Sequence, residues 1–143
     1  MKKIIFSNNS ILLFLSLAGM ALSAYLWNFQ VNPNLIVPCT GDGCKNLLKS
    51  EYSFVFKVPM AVFGFFYYSF LATIFLQRYF INHKFLNILT FFTILFGIIF
   101  SLYLRYLELF KIHSICSLCL ISFMIILAVS ITYFLRPKNW KNP

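Results

Sequence analysis

The sequence predicts an all-α integral membrane protein, a four-transmembrane-helix bundle with an extracytoplasmic loop and short amphipathic helix between helices one and two. Hydrophobic residues make up 61% of the 143-residue chain and mean hydropathy is +0.84, far above the usage of soluble domains. Four stretches free of charge are each long enough to meet the roughly 20 apolar residues that a spanning helix requires. None of them alternates polar with apolar residues, and a membrane barrel needs roughly eight or more strands, so helices are the spanning structure left. The length suits a single domain covering residues 1–143.

The first stretch, Lys3 to Asp42, has its apolar core at about residues 10–29. Lys2, Lys3 and the small residues from Ala21 to Ala24 also fit a secretory signal peptide. The apolar run continues through Tyr25, Leu26 and Trp27, which suits a membrane anchor with an aromatic end better. The other spans are expected at about 58–77, between Lys57 and Arg78; 85–104, between Lys84 and Arg105; and 112–135, between Lys111 and Arg136. The connections Arg78 to Lys84 and Arg105 to Lys111 read as tight turns. The loop at 30–57 is the one connection large enough to act as a lid or meet a partner. Pro33, Pro38, Gly41 and Gly43 break its early part. From Lys45 to Phe56, Leu47, Leu48, Tyr52, Val55 and Phe56 recur every three to four residues, the pattern of a short interfacial helix.

Basic residues set the expected orientation. Seven of the twelve, Lys2, Lys3, Arg78, Lys84, Arg136, Lys138 and Lys141, fall on the side of the two termini. Both termini are therefore expected in the cytoplasm. The acids Asp42, Glu51 and Glu108 fall on the other side. The net charge of +9 reflects this topology, and no basic cluster stands on a soluble surface, so nucleic acid is not an expected partner.

All four cysteines fall at the outer face: Cys39 and Cys44 in the loop, Cys116 and Cys119 where the last span begins. An isolated membrane Cys is most often a small buried hydrophobe. Two pairs gathered at one surface instead suit a relay of electrons, and disulfides persist outside the cytoplasm. Short-spaced pairs also suit zinc, but an oxidising compartment competes for the thiols and no metal is expected. With Ser114 as N-cap, Cys116 falls in the first turn of the last helix, where the helix terminus favours a thiolate. His113 and Lys111 stand nearby, and interfacial solvation accounts for both. Cys119, three residues on, lies on the same face and about 4.5 Å deeper at about 1.5 Å rise per residue. No haem, flavin or iron–sulfur signature is present to accept electrons. A lipid-soluble quinone of the menaquinone or ubiquinone type fits, in a slot that aromatic side chains line.

In this order of features the chain resembles the vitamin K epoxide reductase family in its bacterial form. The resemblance runs from about Cys39 to Phe123. It rests on the pair Cys39 and Cys44, Ser50 six residues later, Tyr52, Pro59 before the second helix, Gly64 within it, and the pair Cys116 and Cys119 opening the fourth. It implies a helical bundle around a quinone in the bacterial cytoplasmic membrane, whose loop pair exchanges disulfides with a separate thioredoxin-fold (DsbA-like) protein. By that pattern Cys39 meets the partner, Cys44 relays to Cys116, and Cys119 reacts with the quinone. Ser50 resembles the family's hydroxyl residue near the reactive Cys and quinone. Lys57 stands where many bacterial members carry Gly, Met60 where some carry a quinone-facing Asn, and Phe123 where animal members carry Tyr. Met60 and Phe123 thus border the expected quinone site, but neither supplies the polar contact to its carbonyls. A DsbB-type oxidoreductase has its close-spaced pair in the first loop, the reverse of the order here. The alternative outside redox chemistry is a non-catalytic membrane subunit or transporter component with structural disulfides. Intramembrane charges would favour transport, and the four expected spans carry none.

Overall fold

The computed structural model describes residues 2–32, 34, 46, 49–51, 54–81, 83–113 and 115–135, with the side chains of residues 2–8 and 55 excepted. Cys39, Cys44, Tyr52 and Ser114 lie outside the described residues.

Helix α1 spans Lys2–Val31 without interruption. It ends at Asn32, where the following Pro33 disfavours helical backbone, and the Asn32 side chain donates back to Asn28 at 3.0 Å. Strand β1 (Phe54–Val55) pairs antiparallel with β2 (Val58–Pro59), Val55 opposite Val58. The two turn residues, Phe56 and Lys57, have φ of 51° and 66°, the positive values that a tight hairpin matching strand twist demands. The expected interfacial helix therefore does not reach Phe56. Glycine is the residue that adopts this backbone without penalty.

Pro59 is the N-cap of helix α2 (Met60–Phe80), which closes with Arg78 in its last turn, where a cation complements the helix dipole. Helix α3 (Lys84–Leu107) does not turn at Arg105. It runs into a π-helical segment, Glu108–Ile112, and stops at His113, whose φ of 53° is left-handed. Helix α4 is Ser117–Phe134, shorter at its start than expected. All four helices are long and apolar enough to cross a membrane, the third as a 29-residue unit from Lys84 to Ile112. The spans therefore do contain charge: Arg78, Lys84, Arg105, Glu108 and Lys111 stand within helices whose charge-free cores alone define the sequence pattern.

Helices α1 and α2 make the closest pair, through small residues. Gly19 lies against the Tyr68 ring, and Gly64 against Ser23. In lipid, such close approach supplies the dispersion contact that drives association. The core joins Leu12, Tyr68, Leu71, Phe75, Ile94, Ile126, Val129 and Tyr133. At the end bearing Arg78, its guanidinium lies 5.6 Å above the Tyr133 ring, and the Tyr133 hydroxyl donates to the Asn87 carbonyl. Phe14, Phe66, Phe92 and Phe96 face outward, as lipid contact permits.

Candidate functional site

The site lies at the opposite end. There a second cluster packs Leu26 and Phe29 of α1 against Cys116 and Leu118, with Ala61 and Cys119 beside them. Beneath it, side chains of all four helices enclose a cavity of about 260 Å³, a little below the roughly 300 Å³ at which small-molecule pockets begin. Its wall is mostly apolar, from Leu26, Met60, Phe63, Phe100 and Phe123 down to Gly97 and Ile126. Glycine is needed at Gly97 because a Cβ there would overlap the Tyr67 hydroxyl, which also borders the cavity.

Cys119 lines the cavity and Cys116 does not; Cys116 is fully buried above it. The two are not joined to each other by a disulfide in this structure. Cys116 is itself the N-cap of α4, in place of the expected Ser114, and its sulfur accepts the Cys119 backbone N–H at 3.4 Å. Helix bounds shift easily by a residue or two, but here the cap geometry identifies the role. The Cys119 thiol, hydrogen-bonded to the Cys116 sulfur, holds the Cys116 thiol below its usual range. Burial opposes this, the Cys119 and Leu118 backbone N–H groups reinforce it, and the Glu108 carboxylate opposes it. The Cys119 thiol thus contributes most to the lowering, and the backbone N–H groups at the start of α4 add to it.

Two residues were not foreseen at this site. Glu108 is 2% exposed and accepts at both carboxylate oxygens. Oε2 pairs with Arg105 Nη1 at 2.5 Å, while Oε1 accepts the backbone N–H of Cys116. Arg105 lies 5.6 Å over the Phe123 ring. Both charged residues line the cavity. The i, i+3 spacing of Arg105 and Glu108, continuing the period of Leu104 and Leu107, was the available signal. It is overlooked when a span is ended at its first charge. The π-helical segment sits where such segments often occur, at a functional site, and presents Glu108 to the Cys116 N–H.

Met60 and Phe123 both border the cavity with Cys119. Ser50 is half-buried in a bend before the hairpin and is not among the lining residues. Cys39 and Cys44 lie outside the described residues. Among the described residues there is no group of three or more His, Cys, Asp or Glu that could hold a metal.

Fold and site together define a polytopic helical membrane protein with one cysteine of a close-spaced pair on the wall of a mostly apolar cavity between its helices. Residues 10–134 match the vitamin K epoxide reductase family, and the chain belongs to that family. Membership makes it an oxidoreductase, in a family whose members are in general quinone-linked disulfide oxidoreductases. A comparison with curated proteins found no match.

Proposed function

We propose that this protein is a quinone-dependent thiol:disulfide oxidoreductase that reoxidises a thioredoxin-fold partner outside the cytoplasm. The observation that carries the reading is the placement of Cys119 on the cavity wall, directly below a capped, acidified Cys116. The residues present fit a quinone head group. The wall is mostly apolar, and two polar groups bordering the cavity, the Gln30 amide and Arg105 Nη2, have no hydrogen-bond partner among the described residues. When bound, a quinone accepts two electrons and two protons.

The work of the chain's own residues follows. Cys39 exchanges with the partner's dithiol, which leaves the partner oxidised and the Cys39–Cys44 pair reduced. Ser50, near the start of the hairpin, supplies a hydroxyl to this exchange. Cys44, as thiolate, attacks the sulfur of Cys116 in an oxidised Cys116–Cys119 pair, and Cys119 leaves as thiolate. Resolution by Cys39 restores the loop disulfide and frees Cys116. The inner pair then holds two electrons, which leave through Cys119 as the Cys116–Cys119 disulfide re-forms, with both thiol protons released toward the acceptor. The Cys119 N–H and the helix terminus stabilise Cys116 as a thiolate through this cycle. Met60 and Phe123 shape the wall and keep water from it. By the excess of basic residues at the ends, both termini face the cytoplasm of a bacterial cell and both cysteine pairs face outward.

The test is purified protein with a reduced thioredoxin-fold partner and a soluble quinone analogue, followed by quinone absorbance. Repeated turnover that disappears in Cys119→Ala is expected. Turnover that persists unchanged in that variant overturns the mechanism.

A further inference from the structure

One polar side chain in the cavity has nothing to do. Gln30, in the last turn of α1, lines the same cavity as Cys119. Its amide nitrogen and oxygen are both buried, and neither has a hydrogen-bond partner among the described residues. A buried amide without partners is costly, and native structures keep few of them without a reason. Several other polar groups along the wall are committed. The Tyr68 hydroxyl pairs with Ser122 Oγ at 3.0 Å, the Tyr67 hydroxyl donates to the Thr93 carbonyl at 2.9 Å, and Glu108 is shared between Arg105 and Cys116. Gln30 is also well placed. It stands four residues after Leu26, hence on the same helix face, and Leu26 packs in the cluster that holds Cys116 and Cys119.

We propose that the Gln30 side-chain amide is the hydrogen-bonding grip on the quinone head group, and this rests on the quinone-reducing reading above. An amide carries two N–H donors and one carbonyl acceptor. The donors serve the carbonyl oxygen of the oxidised ligand. The acceptor serves the hydroxyl of the reduced one, so a single side chain stays satisfied on both sides of the reaction. Arg105 Nη2 also lacks a partner, but a guanidinium offers donors only. Gln30 transfers neither electrons nor protons. The dithiol supplies two of each as it becomes a disulfide, and the quinone takes up two of each as it becomes a hydroquinone. Met60, without a donor, lies on the same wall, so the grip comes from α1 instead of from the start of α2.

The experiment uses full-length protein in lipid nanodiscs, wild type beside Gln30→Met, which keeps the length of the side chain, and Gln30→Leu. Menadione and decylubiquinone are the probes. Three quantities are read: the dissociation constant from quenching of tryptophan fluorescence, the thermal midpoint with and without probe, and the carbonyl stretch of bound quinone by infrared difference spectroscopy. Binding in the variants should weaken roughly tenfold, the size of one net hydrogen bond. Their ligand-free midpoint should hold or rise, because a buried unpartnered amide is gone, while the quinone-induced rise shrinks. The carbonyl band should move to higher frequency. Variants that bind within about twofold of wild type, with an unmoved band, overturn the role of Gln30 alone. A wild-type protein that binds neither quinone overturns the quinone-reducing reading together with this one.

Discussion

The Glu108 carboxylate accepts the backbone N–H of Cys116, and so ties the π-helical end of α3 to the N-cap of α4. The same carboxylate neutralises Arg105 at the edge of the cavity. Its negative charge opposes ionisation of Cys116 while its hydrogen bond holds that residue in the capping position. One side chain thus holds Cys116 in place and tempers the acidity that the Cys119 thiol confers on it.

Glu108→Gln separates them. The amide oxygen keeps the bond to the Cys116 N–H but removes the charge, so the Cys116 titration should move to lower pH. Iodoacetamide alkylation of the reduced protein, followed against pH, reads this. Glu108→Ala should cost about 3–5 kcal/mol of stability, since it strands the buried guanidinium of Arg105, and a thermal or denaturant scan measures it.

Cys116 also predicts the pH dependence of the reduced protein. Its folded-state pKa is depressed, so its contribution to stability is fully present above the ordinary thiol range. That contribution is lost as pH falls through the lowered value. The stability gap between reduced wild type and reduced Cys116→Ser should therefore widen as pH rises across that window. Chemical denaturation at a series of pH values is the measurement. A gap that narrows with rising pH contradicts the assignment.

The pattern of charge-free runs made the four helices legible, because lipid contact demands apolar side chains and lipid-exposed charge is excluded. The same logic misplaced the helix ends. Arg105 and Glu108 neutralise each other inside the bundle, so a charge does not mark the membrane boundary there. The end of the first loop was misread for a different reason. Val55 and Phe56 carry spacing that suits a helix, but Pro59 and the adjacent Val58 favour extended backbone, and the pairing of Val55 with Val58 decided the matter. The cysteine pair of α4 was readable from its spacing. Gln30 was not, because a single amide at the end of an apolar run looks like interfacial solvation until its neighbours are known.

Lys57 holds a left-handed backbone in the hairpin turn. Lys57→Gly should stabilise the protein by about 1 kcal/mol by relieving the Cβ clash. Lys57→Val should destabilise it, because a β-branched residue tolerates positive φ worst. Thermal midpoints of the three proteins in the same lipid settle the order.

Gly97→Ala places a methyl group on the Tyr67 hydroxyl. Tyr67 must leave the Thr93 carbonyl or enter the cavity, at a cost of about 1–3 kcal/mol. Quinone-analogue affinity and the thermal midpoint should fall together, which distinguishes this variant from the Gln30 substitutions.

The proposed order of the sulfurs makes a trapping prediction. Cys39→Ala should accumulate a disulfide between Cys44 and Cys116, seen as a cross-linked peptide after proteolysis. A Cys39–Cys116 link in a Cys44→Ala protein, with no Cys44–Cys116 species in the first variant, reverses the assignment of the loop pair.

The cavity is walled by all four helices long and apolar enough to span a membrane, so a quinone acceptor would reach it from the hydrocarbon phase. On the proposed reading, the quantity that governs the rate is then the mole fraction of acceptor among the lipids, not its concentration in the bulk volume. Adding empty vesicles or detergent micelles at constant total acceptor should slow the enzyme by surface dilution, and packing the same acceptor into fewer lipids should restore it. For a protein of this shape, the bilayer is the solvent in which its kinetics must be expressed.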